Sequence, residues 1–134
     1  MDTTVFEVAT GGDERVVDIT GSVVDFCRGR GDGLVNVFIP HSTCGVAIIE
    51  TGDGSDPDLL AALADLLPAD DRWTHKHGFP GHGRDHVLPA FIAPSVIIPV
   101  FEGAPALGTW QSITLIDTNH NNPLREVRLS FLPG

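Results

Sequence analysis

Cysteine, lysine and long apolar runs are all scarce in this sequence. Its two cysteines, Cys27 and Cys44, do not form the disulfide framework of a small secreted scaffold. No apolar stretch approaches the roughly 18 residues needed to cross a bilayer. The start of the chain also lacks the basic and apolar segments of a signal peptide. We therefore expect a cytoplasmic protein with free thiols and no membrane partner.

Positive charge is scarce as well. Lys76 is the only lysine, and the formal net charge is -10. Because such a surface repels phosphate backbones, nucleic acid is not expected as a partner. The chain has 134 residues, of which 42% are hydrophobic, so residues 1–134 are expected to form a single domain with its own core.

Short apolar runs separated by glycine- and asparagine-rich turns predict strands along most of the chain. They are residues 5–10, 15–19, 34–39, 44–50, 86–92, 95–101, 107–118 and 124–132. Runs 34–39 and 44–50 are expected to pair as a hairpin. Pro89 cannot donate to a ladder, so run 86–92 is expected at a sheet edge or at a bulge.

Two segments have the pattern of helices. Thr20 could cap a short helix with apolar residues at 23, 24, 26 and 27. The clearest helix is 56–67, with Asp56 at the N-cap and Pro57 at the first helical position. Leucines recur there at helical spacing and are expected to face inward; they are Leu59, Leu60, Leu63, Leu66 and Leu67. The fold class predicted is α+β, a mostly antiparallel sheet or sandwich with one or two short helices.

Histidine and hydroxyl side chains suggest where the chemistry lies. His41, Ser42 and Thr43 follow a predicted strand, where they could bind an anion or move a proton. The alternative is a turn whose hydroxyls satisfy local backbone groups.

A second cluster has four imidazoles over twelve positions, and it suggests a metal site or an acid/base site. Its histidines are His75, His77, His82 and His86, with Arg84 and Asp85 between the last two. No pair has the spacing of a known zinc signature, and the alternative is a solvated loop.

A third candidate segment is 108–111. Gly108 would allow close approach of a ligand, Trp110 offers a flat face and Gln111 a hydrogen-bonding amide. The alternative for Trp110 is core packing. Glu50 ends an apolar run and is either a carboxylate facing the site or the first polar residue of a loop.

Together these segments resemble the YjbQ-like family of secondary thiamine-phosphate synthases. The matching segments are 37–46 (VFIPHSTCGV) with Glu50, 73–75 (WTH), 85–87 (DHV), 94–100 and 107–111 (LGTWQ). Arg125 and Arg128 correspond loosely to an arginine cluster of the family. The resemblance implies compact β-rich subunits assembled as a homotrimer, and an activity that joins an aminopyrimidine diphosphate to a thiazole phosphate.

The sequence thus predicts an enzyme for a small phosphorylated molecule, nominally a thiamine-phosphate synthase-like transferase. The expected catalytic residues are His41, His86 and Glu50, and the expected substrate-binding residues are Ser42, Thr43, Arg84, Trp110 and Gln111. A divalent metal, zinc or magnesium, is expected on His41, His75 and His86. The alternatives are a non-catalytic metal- or ligand-binding homotrimer and a metal-assisted phosphate-ester hydrolase.

Overall fold

Two antiparallel β-sheets make up most of the chain in the computed structural model, which describes residues 1–121 and 123–134. The strands are β1 (Asp2–Ala9), β2 (Arg15–Asp18), β3 (Gly33–Phe38), β4 (Cys44–Ile49), β5 (Ser95–Phe101), β6 (Ala104–Pro105), β7 (Ser112–Asp117) and β8 (Leu124–Pro133). The larger sheet has the order β1-β8-β3-β5-β6, and the smaller has the order β2-β7-β4. The predicted α+β class with antiparallel strands is confirmed.

Three α-helices and one 3₁₀ helix accompany the sheets. They are α1 (Thr20–Cys27), α2 (Ser55–Leu66), α3 (Leu88–Phe91) and a 3₁₀ helix over His82–His86. Helix α2 begins one residue before the predicted cap, and Asp56 instead accepts a hydrogen bond from the Gly52 N–H. None of the helices in the described ranges is long and apolar enough to cross a membrane.

One face of α2 packs inward. Leu63 and Leu67 are buried against Leu88 and Ile116. Leu66 is 55% exposed, so the prediction that every leucine of this helix faces inward is wrong for that residue. The cause is helical geometry, since Leu66 lies about 100° around the helix axis from the buried Leu67 and so falls at the margin of the inward-facing stripe.

The main core lies between the two sheets and follows the two-residue period of the strands. In β8, Val127, Leu129 and Phe131 are buried while their neighbours are exposed. In β7, Ile113 and Leu115 face them from the other sheet. The alternation begins at the start of β8. The side chain of Arg125, two residues before Val127, is therefore buried as well.

The predicted hairpin between runs 34–39 and 44–50 is wrong. Strand β3 is hydrogen-bonded to β5 on one side and β8 on the other, whereas β4 pairs with β7 in the smaller sheet. Both edges of β3 are occupied, so the chain must cross to the second sheet. Residues 39–43 make that crossing and are thereby placed at the end of both sheets.

The predicted strand over 86–92 is also wrong. This segment completes the 3₁₀ helix and then forms α3, in which Pro89 lies in the first turn. A proline there loses no hydrogen bond, because the first N–H groups of a helix have no intrahelical acceptor. The helical path matters for function because it turns the side chains of His82 and His86 toward each other.

Candidate metal centre and adjoining cavity

A cavity of about 450 Å³ opens where β4 begins and β7 ends. The residues around it come from the crossing between β3 and β4, the 3₁₀ helix and the segment that precedes it, the connection from β7 to β8, and the start of β8. Each residue of its lining has a polar side chain; these residues are His41, Ser42, Thr43, His77, His82, His86, Asn119, Asn121 and Arg125.

Three imidazoles converge beside this cavity. His75, His82 and His86 each present one ring nitrogen, and these nitrogens all lie within 4.8 Å of one another. The Nε2 atoms of His82 and His86 are 3.0 Å apart. The Nε2 atom of His75 is buried and has no hydrogen-bond partner in the described part of the chain. A buried, unpartnered nitrogen is costly unless something else satisfies it.

Asp85 fixes the orientation of His82. Its Oδ2 atom is 3.1 Å from His82 Nδ1, and its Oδ1 atom accepts a 2.6 Å hydrogen bond from the Thr118 hydroxyl. A proton on Nδ1, facing the carboxylate, leaves the lone pair of Nε2 directed at the cluster. A carboxylate behind a histidine is the usual arrangement at metal sites, where it sets the tautomer and raises ligand basicity. Burial raises the pKa of the Asp85 carboxyl, and the Thr118 hydrogen bond and Arg84 oppose that shift.

The surroundings of the other two imidazoles disfavour their protonated form. Burial lowers the pKa of both His75 and His86, and the neighbouring imidazoles lower each pKa further. Neutral imidazole is the form that binds metal. Three converging imidazoles, a buried unpartnered nitrogen on one of them and an orienting carboxylate suit a divalent ion with an open position toward the cavity.

His41 lies outside this cluster. Its Nε2 atom accepts a 2.8 Å hydrogen bond from the backbone N–H of Glu126. Burial and then Arg125 lower the pKa of His41, against smaller opposing effects of Glu126 and Asp117. The structure therefore places His82, rather than the predicted His41, beside His75 and His86, and leaves His41 on the cavity wall.

A buried ion pair forms another part of the wall. Arg125 Nε donates to Asp117 Oδ2 at 2.8 Å, and Nη2 lies 3.3 Å from Asp117 Oδ1 and 3.4 Å from Thr43 Oγ1. The Asn119 amide also reaches Thr43 Oγ1, at 3.5 Å. Sequence reasoning noted Arg125 only as a loose match and missed Asp117. The available signal was the alternation of β8, in which Arg125 is in phase with the buried Val127.

Comparison with known proteins identifies the family. The family model described as UPF0047 protein YjbQ-like matches residues 4–134. The UPF0047 protein Rv2556c of Mycobacterium tuberculosis is 60% identical over 134 residues, covering 100% of both chains. This chain belongs to the YjbQ-like UPF0047 family.

Solved structures of the family share the fold. The hypothetical protein APE1520 of Aeropyrum pernix superposes with a TM-score of 0.91 at 31% identity, covering 100% of both chains. A protein of unknown function from Sulfolobus solfataricus gives a TM-score of 0.92 at 24% identity, covering 99% of this chain and 97% of its own, which shows the fold alone.

Three of the predicted site residues of this UPF0047 protein lie at the far end of the small sheet. The ladder between β4 and β7 pairs Cys44 with Asp117 at the cavity and Ile49 with Ser112 at the other end, about 17 Å away. Glu50, Trp110 and Gln111 follow that far end. Glu50 is exposed, Trp110 is 73% exposed, and Gln111 Oε1 accepts a hydrogen bond from the Gly108 N–H.

Arg84, also predicted to bind substrate, is directed into the protein instead. Its guanidinium is buried, pairs with Glu14 and lies 3.4 Å from the Leu67 carbonyl oxygen. In this position it ties the 3₁₀ helix to the β1–β2 loop and to the end of α2.

Gly83 controls how closely the two halves of the histidine cluster approach. A Cβ atom at this position would lie 2.4 Å from Trp73 Cβ and 2.8 Å from the His75 carbonyl oxygen.

Gly83→Ala should therefore push the His75 segment away and weaken zinc binding at least tenfold, as measured by competition with a chromophoric chelator. Gly21→Ala is the matched control, since a Cβ there meets nothing within 4 Å. Equal zinc affinity in both variants would contradict this account of the cluster.

Proposed function

We propose that the protein holds a divalent ion on His75, His82 and His86 and uses it to hydrolyse a phosphate ester of a small molecule. The observation that carries this proposal is the convergence of ring nitrogens from three histidines within 4.8 Å at the edge of a cavity lined by Arg125. One of these histidines, His75, also has a buried and unpartnered Nε2 atom. Imidazole donors favour zinc over magnesium, which prefers oxygen ligands. When bound, such an ion supplies Lewis-acid polarisation of a phosphoryl oxygen.

The charges around the cavity favour an anion. A bound divalent ion would add two positive charges beside a lining that, in the described part of the chain, includes Arg125 and no carboxylate side chain. The chain as a whole carries -10. This contrast supports a small phosphorylated ligand, because a polyanion such as nucleic acid would also meet the acidic surface outside the cavity.

Hydrolysis is better supported by the geometry than the transferase that the family resemblance implies. Joining an aminopyrimidine to a thiazole phosphate needs places for two substrates, and Trp110 was the expected stacking wall. That residue lies beyond the far end of the β4–β7 ladder within the chain. A single phosphorylated substrate requires only the groups that already surround the cavity.

Metal content and turnover test the proposal together. In protein purified without a His-tag, we expect close to one zinc per chain and slow release of phosphate from a panel of small phosphomonoesters. His82→Ala and His86→Ala should lose the metal and lower turnover at least a hundredfold, while His41→Ala should keep the metal. His120→Ala is a further control, because that side chain lies outside the cluster and bonds to the Gly12 carbonyl oxygen.

The same measurements show how the proposal would fail. A parent protein that carries no zinc as purified, and whose melting temperature and turnover do not respond to added zinc, has no such centre. Metal binding without turnover would leave the non-catalytic binding protein as the function.

Because the pKa values of His75 and His86 are lowered, zinc should stay bound at pH 6.5 and be released only at more acidic pH, as protons compete for the rings.

Two further properties are part of the proposal. A homotrimer was expected partly from Pro89 on a sheet edge, an argument that the helical α3 removes. The outer face of the larger sheet gives a better reason. Exposed apolar residues of β3, β5 and β8 share this face. Leu34 lies directly opposite Leu132, and the others are Phe38, Ile97 and Phe101. An outer face that exposes several large apolar residues favours association between copies. The second property is a cytoplasmic location, which would keep the buried Cys27 and Cys44 reduced.

Light scattering tests the assembly. The parent protein should have three times the 14.3 kDa mass of the chain. Ile97→Asp places a charge in the centre of the apolar face and should yield smaller species, whereas Leu66→Asp, on the exposed side of α2, should leave the mass unchanged. A parent protein that is monomeric at every concentration would contradict the proposal.

A further inference from the structure

We infer that the cavity contains a phosphoryl subsite, separate from the three metal-binding imidazoles, in which Arg125, His41 and Ser42 recognise the terminal phosphate of a monoester. This inference deepens the proposed function by naming the class of phosphate ester. The subsite itself stands on the hydrogen-bonding capacity of residues that do not belong to the histidine cluster.

Arg125 supplies hydrogen-bond donors that are available to a ligand. A guanidinium has five N–H groups. Nε and Nη2 are directed at Asp117 and Thr43, while Nη1 has no partner within residues 1–121 and 123–134. Asp117 is fully buried, so it holds the guanidinium from the core side and does not itself face a ligand. The remaining N–H pair is therefore fixed in direction and free to bind two oxygens of an anion.

His41 supplies a second donor. The hydrogen bond that its ring accepts from the Glu126 backbone decides which ring nitrogen can donate. Because Nε2 accepts the Glu126 N–H, a neutral His41 ring must carry its proton on Nδ1. That N–H is the only polar ring atom left for a ligand in the cavity that His41 lines. Burial lowers the pKa of this ring, which favours the neutral form near neutral pH. His41 can thus donate to a phosphoryl oxygen but cannot act as a base through Nε2.

The number of donors selects a monoester. Nη1 of Arg125 offers two N–H groups, His41 one, and the exposed Ser42 hydroxyl one more. A phosphomonoester has three non-bridging oxygens to receive them and places its single organic group toward the opening. A diester has two such oxygens and would turn its second carbon substituent toward polar donors, leaving them unpaired at a cost in affinity.

Calorimetric titration of the full chain as purified, with metal content measured on the same samples, tests this subsite. The probes are phenyl phosphate, inorganic phosphate and bis(4-nitrophenyl) phosphate. Phenyl phosphate should bind at least tenfold more tightly than the diester. We infer that the site recognises only the phosphoryl group, so inorganic phosphate should compete with phenyl phosphate.

The variants separate the subsite from the metal. Arg125→Lys keeps the charge opposite Asp117 but loses the planar donor pair, and His41→Phe keeps a ring but loses the donor. Each should weaken phenyl phosphate binding at least tenfold with unchanged metal content, and His120→Phe should change neither quantity. His41→Phe alone decides the matter if Arg125→Lys fails to fold.

The possible failures are distinguishable. Phenyl phosphate affinity equal to the parent's in His41→Phe, or a diester that binds as well as the monoester, would overturn the subsite while leaving a metal-bound parent intact. A parent without metal that still binds phenyl phosphate with the expected variant pattern would overturn the proposed function and leave the subsite standing.

Discussion

The buried carboxylate of Asp85 is the constraint on which the rest of the site depends. It accepts a hydrogen bond from Thr118 at the end of β7 and contacts His82 on the 3₁₀ helix, so it joins the small sheet to the segment that carries two of the three imidazoles. An uncompensated carboxylate in this position would cost several kcal/mol. The partners are therefore obligatory, and they fix at once the helix position, the tautomer of His82 and the direction of its Nε2 atom.

A second constraint comes from the two-residue period of the strands. The alternation that buries Val127 and Leu129 also buries Arg125, and the last residue of β7, Asp117, lies opposite it. Core packing and the cationic cavity wall are thus two results of one pattern. This coupling explains how an acidic chain with few cations can place one guanidinium where an anion would need it.

Much of the fold could be predicted from the sequence because its signals were local. Strand β5 has the predicted bounds, and α2 differs from its prediction by one residue at each end. The errors arose where the signal was ambiguous or non-local. The short apolar run 86–92 is compatible with either strand or helix. The pairing of β3 depends on which distant strands occupy its edges, which no local pattern states.

The candidate site was predictable to a similar extent. His75 and His86 were predicted to share a site, and the structure brings them together, while Ser42 and Thr43 line the adjoining cavity. The sequence led us to choose His41 as the third histidine, whereas the structure places His82 there because of the helical turn over His82–His86. Trp110 stood out by residue type, but the strand register places it at the wrong end of the ladder for a site within one chain.

X-ray absorption spectroscopy of the zinc-loaded protein tests the central claim most directly. The account predicts a first shell with three imidazole nitrogens at about 2.0–2.1 Å, completed by a light atom from the cavity side. In His82→Ala the imidazole contribution should fall, and in His41→Ala it should stay at three. A shell with sulfur, a shell of oxygens with fewer than two imidazoles, or a loss of imidazole in His41→Ala but not in His82→Ala would contradict the three-histidine centre.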